Sequence, residues 1–297
     1  MTSELRDSDA RIAKSLEKLL NSHGYSFQYG IAKRAQELAR GYDVKWWLEG
    51  SEIPVGEGSD IIHVDLVFEH ADLYQKDSSR YYVVAECKRA DPKRARWVFV
   101  RSPAAWRSQN PNLVQFDKIN RFDPDGDFTA STSADHAHIG SYELGLELKT
   151  DVEGDGSGSH GKSAINQAVT QVLRGTKGYI NYLLKKRGIA DEKKLAVENT
   201  FIPVIFTTAE LYVSDGNIAA QDLTTGNVEA DSIGVKRVDW LWYTYNRSLS
   251  LAHGLPVTGD QNRHLGEYVR DFARSVAIVS PSGIDKFMTS RLQSLLW

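Results

Sequence analysis

The stretches Ile61-Ile-His-Val-Asp-Leu-Val-Phe68 and Tyr81-Tyr-Val-Val-Ala-Glu-Cys-Lys88 decide the fold. In the first, Ile62, Val64, Leu66 and Phe68 alternate with His63, Asp65 and Val67, which predicts a strand with the first four on one core face. β-Branched and aromatic residues dominate the second, so it reads as another strand. Its two-residue period sets Glu86 and Lys88 on one face and Cys87, a packed thiol, on the other.

On the N-terminal side, Ile12, Leu16, Leu19 and Leu20, then Ile31, Ala35 and Leu38, fall at helical spacing and predict helices over Asp7–Leu20 and Phe27–Ala39. Asp43–Leu48 reads as a first strand. Gly50–Asp60, which contains Pro54, Gly56 and Gly58, reads as a turn-rich segment. On the C-terminal side, residues 90–163 read as an insertion: they begin basic and aromatic and end in Glu153-Gly-Asp-Gly-Ser-Gly-Ser-His-Gly161. The strongest helix is Ala164–Lys186. Ile165, Ala168, Val169, Val172, Ile180, Leu183 and Leu184 form its apolar stripe, Ser163 is placed as N-cap, and Gln167, Gln171 and Arg174 line the other side. Phe201–Phe206, Leu211–Val213, Val238–Tyr245 and Ser275–Val279 read as strands, and Ile284–Leu296 as a closing helix. The fold class is therefore α/β, a mixed sheet with helices on its faces. Residues 1–297 form one domain, extended from about residue 207 onward.

Composition narrows the function classes. The 297 residues are 41% hydrophobic, 25% charged and 10% aromatic, which excludes a disordered or collagen-like chain. A net charge of -3 gives no global attraction to nucleic acid or anionic membrane, so any basic surface must be local. The single cysteine, Cys87, excludes an intramolecular disulfide and a cysteine metal cluster. No apolar run approaches the roughly 18 residues needed to span a bilayer, and the charged N-terminus does not resemble a secretory signal. The expectation is a cytoplasmic protein without a membrane partner.

Asp65, Glu86 and Lys88 are the chemically informative set. Two carboxylates on adjoining strands supply hard oxygen donors for Mg2+, with Mn2+ as a substitute, and leave water sites open. The lysine can stabilise an attacking hydroxide or the charge developing on phosphorus. This Asp65 and Glu86-Cys87-Lys88 pattern resembles the PD-(D/E)xK nuclease superfamily, whose core is restriction-endonuclease-like. The resemblance covers roughly residues 27–89 and 164–206, which supply an α-β-β-β-α-β order. It implies metal-dependent hydrolysis of DNA, in phage defence, restriction or repair, with Asp65, Glu86 and the Cys87 carbonyl as metal ligands. It also implies an acidic residue on the first core helix, for which Glu37 is the candidate and Glu17 the alternative, and a glutamine on the later helix, Gln171 or Gln167. Such cores often act as homodimers. No proline precedes Asp65, and the distance to the next helix is long, so the match is to the superfamily and not to one nuclease.

Lys88, Arg89, Lys93, Arg94, Arg96, Arg101 and Arg107 set seven positive charges against Asp91 alone, interleaved with Trp97, Phe99 and Trp106. Such a segment suits phosphate contact and base stacking, on DNA or alternatively RNA. Arg174 and Gln167 join it as candidate nucleic-acid contacts. Two other readings compete with the nuclease. The same scaffold could bind nucleic acid without turnover. Gly156-Ser-Gly-Ser-His-Gly-Lys-Ser163 fits the P-loop pattern of nucleotide hydrolases, but the preceding Glu143–Glu153 alternates with charge where a P-loop strand is continuously apolar. His63, His136, His138 and His160 lack the helical i, i+4 spacing of a Glu-containing metal motif, so His136 and His138, which could bind metal, read as loop residues, and no Gly-x-Ser-x-Gly nucleophile motif is present.

Overall fold

The computed structural model describes residues 2–41, 46–56, 60–71, 79–101, 113–120, 123–133, 142–148, 164–187, 198–214, 223–246 and 273–290. Helices α1 (Thr2–His23) and α2 (Tyr25–Gly41) open the chain and are separated by Gly24, whose φ of 75° suits glycine. The strands β1 (Trp47–Val55), β2 (Ile62–Ala71), β3 (Ser79–Lys88), β4 (Arg96–Arg101), β5 (Leu113–Asn120), β6 (Asp123–Ser133) and β7 (Tyr142–Leu148) follow. After α3 (Ala164–Arg187) come β8 (Glu198–Thr207), β9 (Glu210–Ser214), β10 (Val235–Val238), β11 (Trp240–Asn246), β12 (Ala273–Val279) and the short α4 (Ile284–Thr289).

These strands form one mixed sheet in the order β1-β2-β3-β8-β12-β11-β7-β4-β9-β10, with β5 pairing both β6 and β8. The β1-β2-β3 meander is antiparallel, and the α3 crossover then delivers β8 parallel to β3. One face packs on α2 and α4: Ile31, Ala35, Leu38 and Phe287 meet Phe68, Val83, Phe206 and Trp242. The other face lies under α3, with Val169 and Val172 over Phe99 and Ile205, and Tyr179 and Leu183 over Tyr82 and Val84. Cover on both faces explains why Tyr81–Ala85 and Val276–Val279 are fully buried apolar runs. A buried ion pair, Arg274 Nε to Asp117 Oδ1 at 2.8 Å, links β12 to β5.

The expected mixed α/β architecture is the observed one, but several details differ from the sequence expectations. The supposed turn at 50–55 is strand: β1 pairs with β2 from Trp47↔Glu69 to Val55↔Ile62. Pro54 is tolerated because β1 is an edge strand. Ile62, Val64, Leu66 and Phe68 do not share one face. Ile62 and Val64 pack toward α3, whereas Leu66 and Phe68 pack toward α2 and α4. The pleat breaks at Asp65, opposite Glu52, whose φ of 50° is the one left-handed non-glycine conformation among the described residues. Four strands arise within residues 90–163 and join the same sheet. Ser163 lies outside the described residues. The first turn of α3 is instead bound by Glu147 of β7, whose Oε1 accepts from Ile165 N at 3.1 Å. Of the expected closing helix, the part that is described ends at Thr289, with extended backbone at Ser290.

Candidate active site

The β2–β3 ladder reaches only Leu66↔Ala85. Immediately beyond that pair, Asp65 Oδ2 accepts the Cys87 N–H at 2.6 Å, so a side chain satisfies a donor that a strand carbonyl would otherwise take. Glu86 and Lys88 fall on the α3 side, in phase with Val84. Lys88 Nζ donates to Gln171 Oε1 of α3 at 3.3 Å. The same end of β3 is fastened to β8 by Thr208 N donating to Lys88 O at 3.2 Å. Asp65, Glu86, Lys88 and Gln171 are thus brought together where β2 and β3 part beneath α3.

The electrostatics follow from partial burial. Burial lifts the Asp65 carboxyl from 3.8 to about 6, with Glu52 adding to the rise while the Cys87 N–H and Lys88 oppose it. Burial lifts Glu86 further, from 4.5 to about 8; the neighbouring Asp65 and Glu52 charges reinforce the rise and Lys88 opposes it. Two carboxylates in one half-buried space disfavour joint ionisation, and a divalent cation removes that conflict. Among the described residues no three His, Cys, Asp or Glu side chains are grouped to cage a metal ion. Asp65 and Glu86 are the two side chains here that could hold a cation between them. Such a pair suits Mg2+, which commonly takes one or two carboxylates and keeps several waters. The Cys87 thiol packs toward α2 and α4, and burial raises its pKa well above the ordinary range, so any ligand role falls to the main chain.

Two further residues complete the surroundings. Gln28, buried on α2, donates through Nε2 to Glu52 Oε1 and to the Asp65 carbonyl, both at 2.8 Å. Glu52 was hidden by the Pro and Gly residues around it. Gln28 carried a usable signal, being the one polar residue on the buried face that Ile31, Ala35 and Leu38 share.

Glu37 is corrected. It lies on the exposed face of α2 and pairs with Arg34 at 3.2 Å, and Arg34 also bonds Asp285 of α4. Its helical phase, opposite Ala35 and Leu38, carries it away from the site. Glu17 is exposed on α1. The basic segment is corrected in part. Trp97 and Phe99 are fully buried in β4 against α3, so neither can stack on a base. Arg96 pairs with Glu210 at 3.7 Å, and Arg101 lies over the Tyr142 ring at 5.7 Å. The start of β4 nevertheless stays near the end of β3: Thr208 N donates to Lys88 O at 3.2 Å and Glu210 N, two residues on, donates to Ala95 O at 2.7 Å. Lys93 is exposed in the turn after β3, where Asp91 Oδ1 accepts its N–H at 2.9 Å; Arg94 follows in the same turn. Trp106 and Arg107 lie outside the described residues, as do His136, His138 and His160. Gln167 and Arg174 are exposed on α3, one turn to either side of Gln171.

The Gly156–Ser163 segment also lies outside the described residues. The α3 N-terminus, where a P-loop would present amides to phosphate, gives its Ile165 N–H to the Glu147 carboxylate. Among the described residues no helix is long and apolar enough to cross a membrane. Comparison with protein-family models, curated proteins and solved structures finds no match to this chain.

Proposed function

We propose that the chain is a metal-dependent nuclease with a restriction-endonuclease-like core, hydrolysing phosphodiester bonds in DNA. One observation carries this reading: two half-buried carboxylates, Asp65 and Glu86, lie where the β2–β3 pairing ends, beside a lysine that bonds a glutamine of α3. The antiparallel meander followed by an α3 crossover to a parallel strand supports it.

In this reading Asp65 and Glu86 hold Mg2+ or Mn2+, with the Cys87 carbonyl as a further oxygen. When bound, the ion supplies Lewis-acid polarisation of a phosphoryl oxygen. Lys88 places positive charge where negative charge develops in the transition state, and the Gln171 amide oxygen fixes the direction of that ammonium. Gln167 and Arg174 offer an amide and a guanidinium to neighbouring phosphates along the exposed face of α3. Cleavage of both strands would call for a homodimer, and phage defence, restriction or repair is the corresponding setting.

The test incubates the purified chain with plasmid, single-stranded DNA and RNA, in Mg2+ or in chelator, beside Asp65→Asn and Lys88→Ala. Wild type should cut DNA only with the metal, and each variant should lose at least about a hundredfold in rate. Equal cutting by all three proteins would trace the activity to a contaminant and reject the assignment. So would a failure to cut any substrate with either Mg2+ or Mn2+.

A further inference from the structure

Three features meet opposite Asp65. Glu52 adopts a left-handed φ of 50° within β1, a conformation that costs a residue with a side chain about 1–2 kcal/mol. The β2 pleat breaks at the same level, with Val64 packed toward α3 and Leu66 toward α2. Gln28, only 4% exposed, donates from its single Nε2 to both the Glu52 carboxylate and the Asp65 carbonyl. Both hydrogens of that amide are committed, and the bond to Glu52 is charge-assisted. One side chain therefore joins a helix, an edge strand and the strand carrying Asp65.

We infer that Gln28 is a positioning residue: its amide locks the Glu52 kink to the Asp65 peptide and thereby sets the Asp65 carboxylate for cation binding. The inference rests on the nuclease reading of Asp65 and Glu86. Without the bridge, the Asp65 carbonyl loses its donor, and the peptide that directs the carboxylate toward Cys87 N is free to turn. Partners of this kind, which orient a metal ligand without touching the metal, typically contribute 10–100-fold in metal affinity.

Calorimetric titration of the full chain with Mn2+ tests this, using wild type, Gln28→Met, Gln28→Glu, Glu52→Asn and Asp65→Asn, with a melting curve for each. Methionine keeps the volume and removes the donor; glutamate keeps the shape and sets a carboxylate against two acceptors. Asparagine at 52 tolerates the left-handed backbone but falls short of Gln28, and it decides the matter if the Gln28 variants do not fold. The expected result is Mn2+ binding weakened about 10–100-fold in the Gln28 and Glu52 variants that retain a cooperative melt, and lost in Asp65→Asn. If the folded Gln28 and Glu52 variants bind as wild type does while Asp65→Asn does not, the positioning role is wrong and the nuclease reading stands. If Asp65→Asn also binds normally, the nuclease reading itself falls.

Discussion

Glu86→Gln isolates what it costs the fold to hold an ionisable carboxyl at this site. Burial, reinforced by Asp65, lifts that carboxyl from 4.5 to about 8, so between those values the folded chain keeps a proton that the unfolded chain has released. Stability changes with pH in proportion to protons bound by the unfolded state minus those bound by the folded state. Here the difference is negative. The contribution is complete below about pH 4.5, declines as pH rises, and is gone above about pH 8. A shift of that size corresponds to at most about 5 kcal/mol, and the partial exposure of Glu86 reduces it to about 2–3 kcal/mol through solvent screening. Glutamine keeps the shape and cannot ionise. In chelator, Glu86→Gln should differ from wild type by less than about 1 kcal/mol at pH 5 and exceed it by about 2–3 kcal/mol at pH 9. For a chain of this length that is about 3–6 °C in Tm. Adding Mg2+ should stabilise wild type and leave the variant nearly unmoved. Differential scanning calorimetry across pH 5–9 reads this directly. An equal offset at both ends of the range, or a variant less stable than wild type at pH 9, would refute the reasoning.

Three other outcomes follow from the same structure. Gln171→Leu removes the acceptor that holds Lys88 at 3.3 Å and should lower plasmid cleavage about tenfold while leaving the melting curve unchanged, since Gln171 is exposed. Asp117→Asn leaves the Arg274 guanidinium, 1% exposed, without its carboxylate and should lower stability in urea by about 3 kcal/mol. Gly178→Ala would set a Cβ 2.5 Å from Val55 Cγ2, so the overlap should outweigh the gain in helix propensity and cost about 1–3 kcal/mol in the same assay.

The parts of this molecule that sequence reading recovered are those where one physical preference acts alone. Tyr81–Ala85 and Phe201–Phe206 are apolar on both sides because helices cover both faces of the sheet, and Ala164–Arg187 keeps one apolar stripe along its length. The shared face of Glu86 and Lys88 was readable because a strand places residues by a period of two, whereas Asp65 sits where the β2 pleat breaks. The part of β1 beyond Leu48 escaped because Pro54 and Gly50 resemble turn chemistry, while an edge position and a bulge accommodate both. Trp97 and Phe99 were misplaced because the flanking arginines suggested a surface; the unbroken run Trp97-Val-Phe-Val100 was the stronger signal, since both faces of β4 are covered. Glu37 was assigned through family resemblance against its own helical phase. The carboxylate that does influence the site, Glu52, depends on a backbone kink and a long-range bond from Gln28, neither of which local pattern encodes.

The proposed nuclease requires a single divalent cation shared by Asp65 and Glu86. Crystals grown with Mn2+ and measured for its anomalous scattering should show one peak beneath α3, about 2.1 Å from a carboxylate oxygen of each residue. A Mn2+ peak bound elsewhere with none between those two side chains, or a peak touching only one of them, would contradict it.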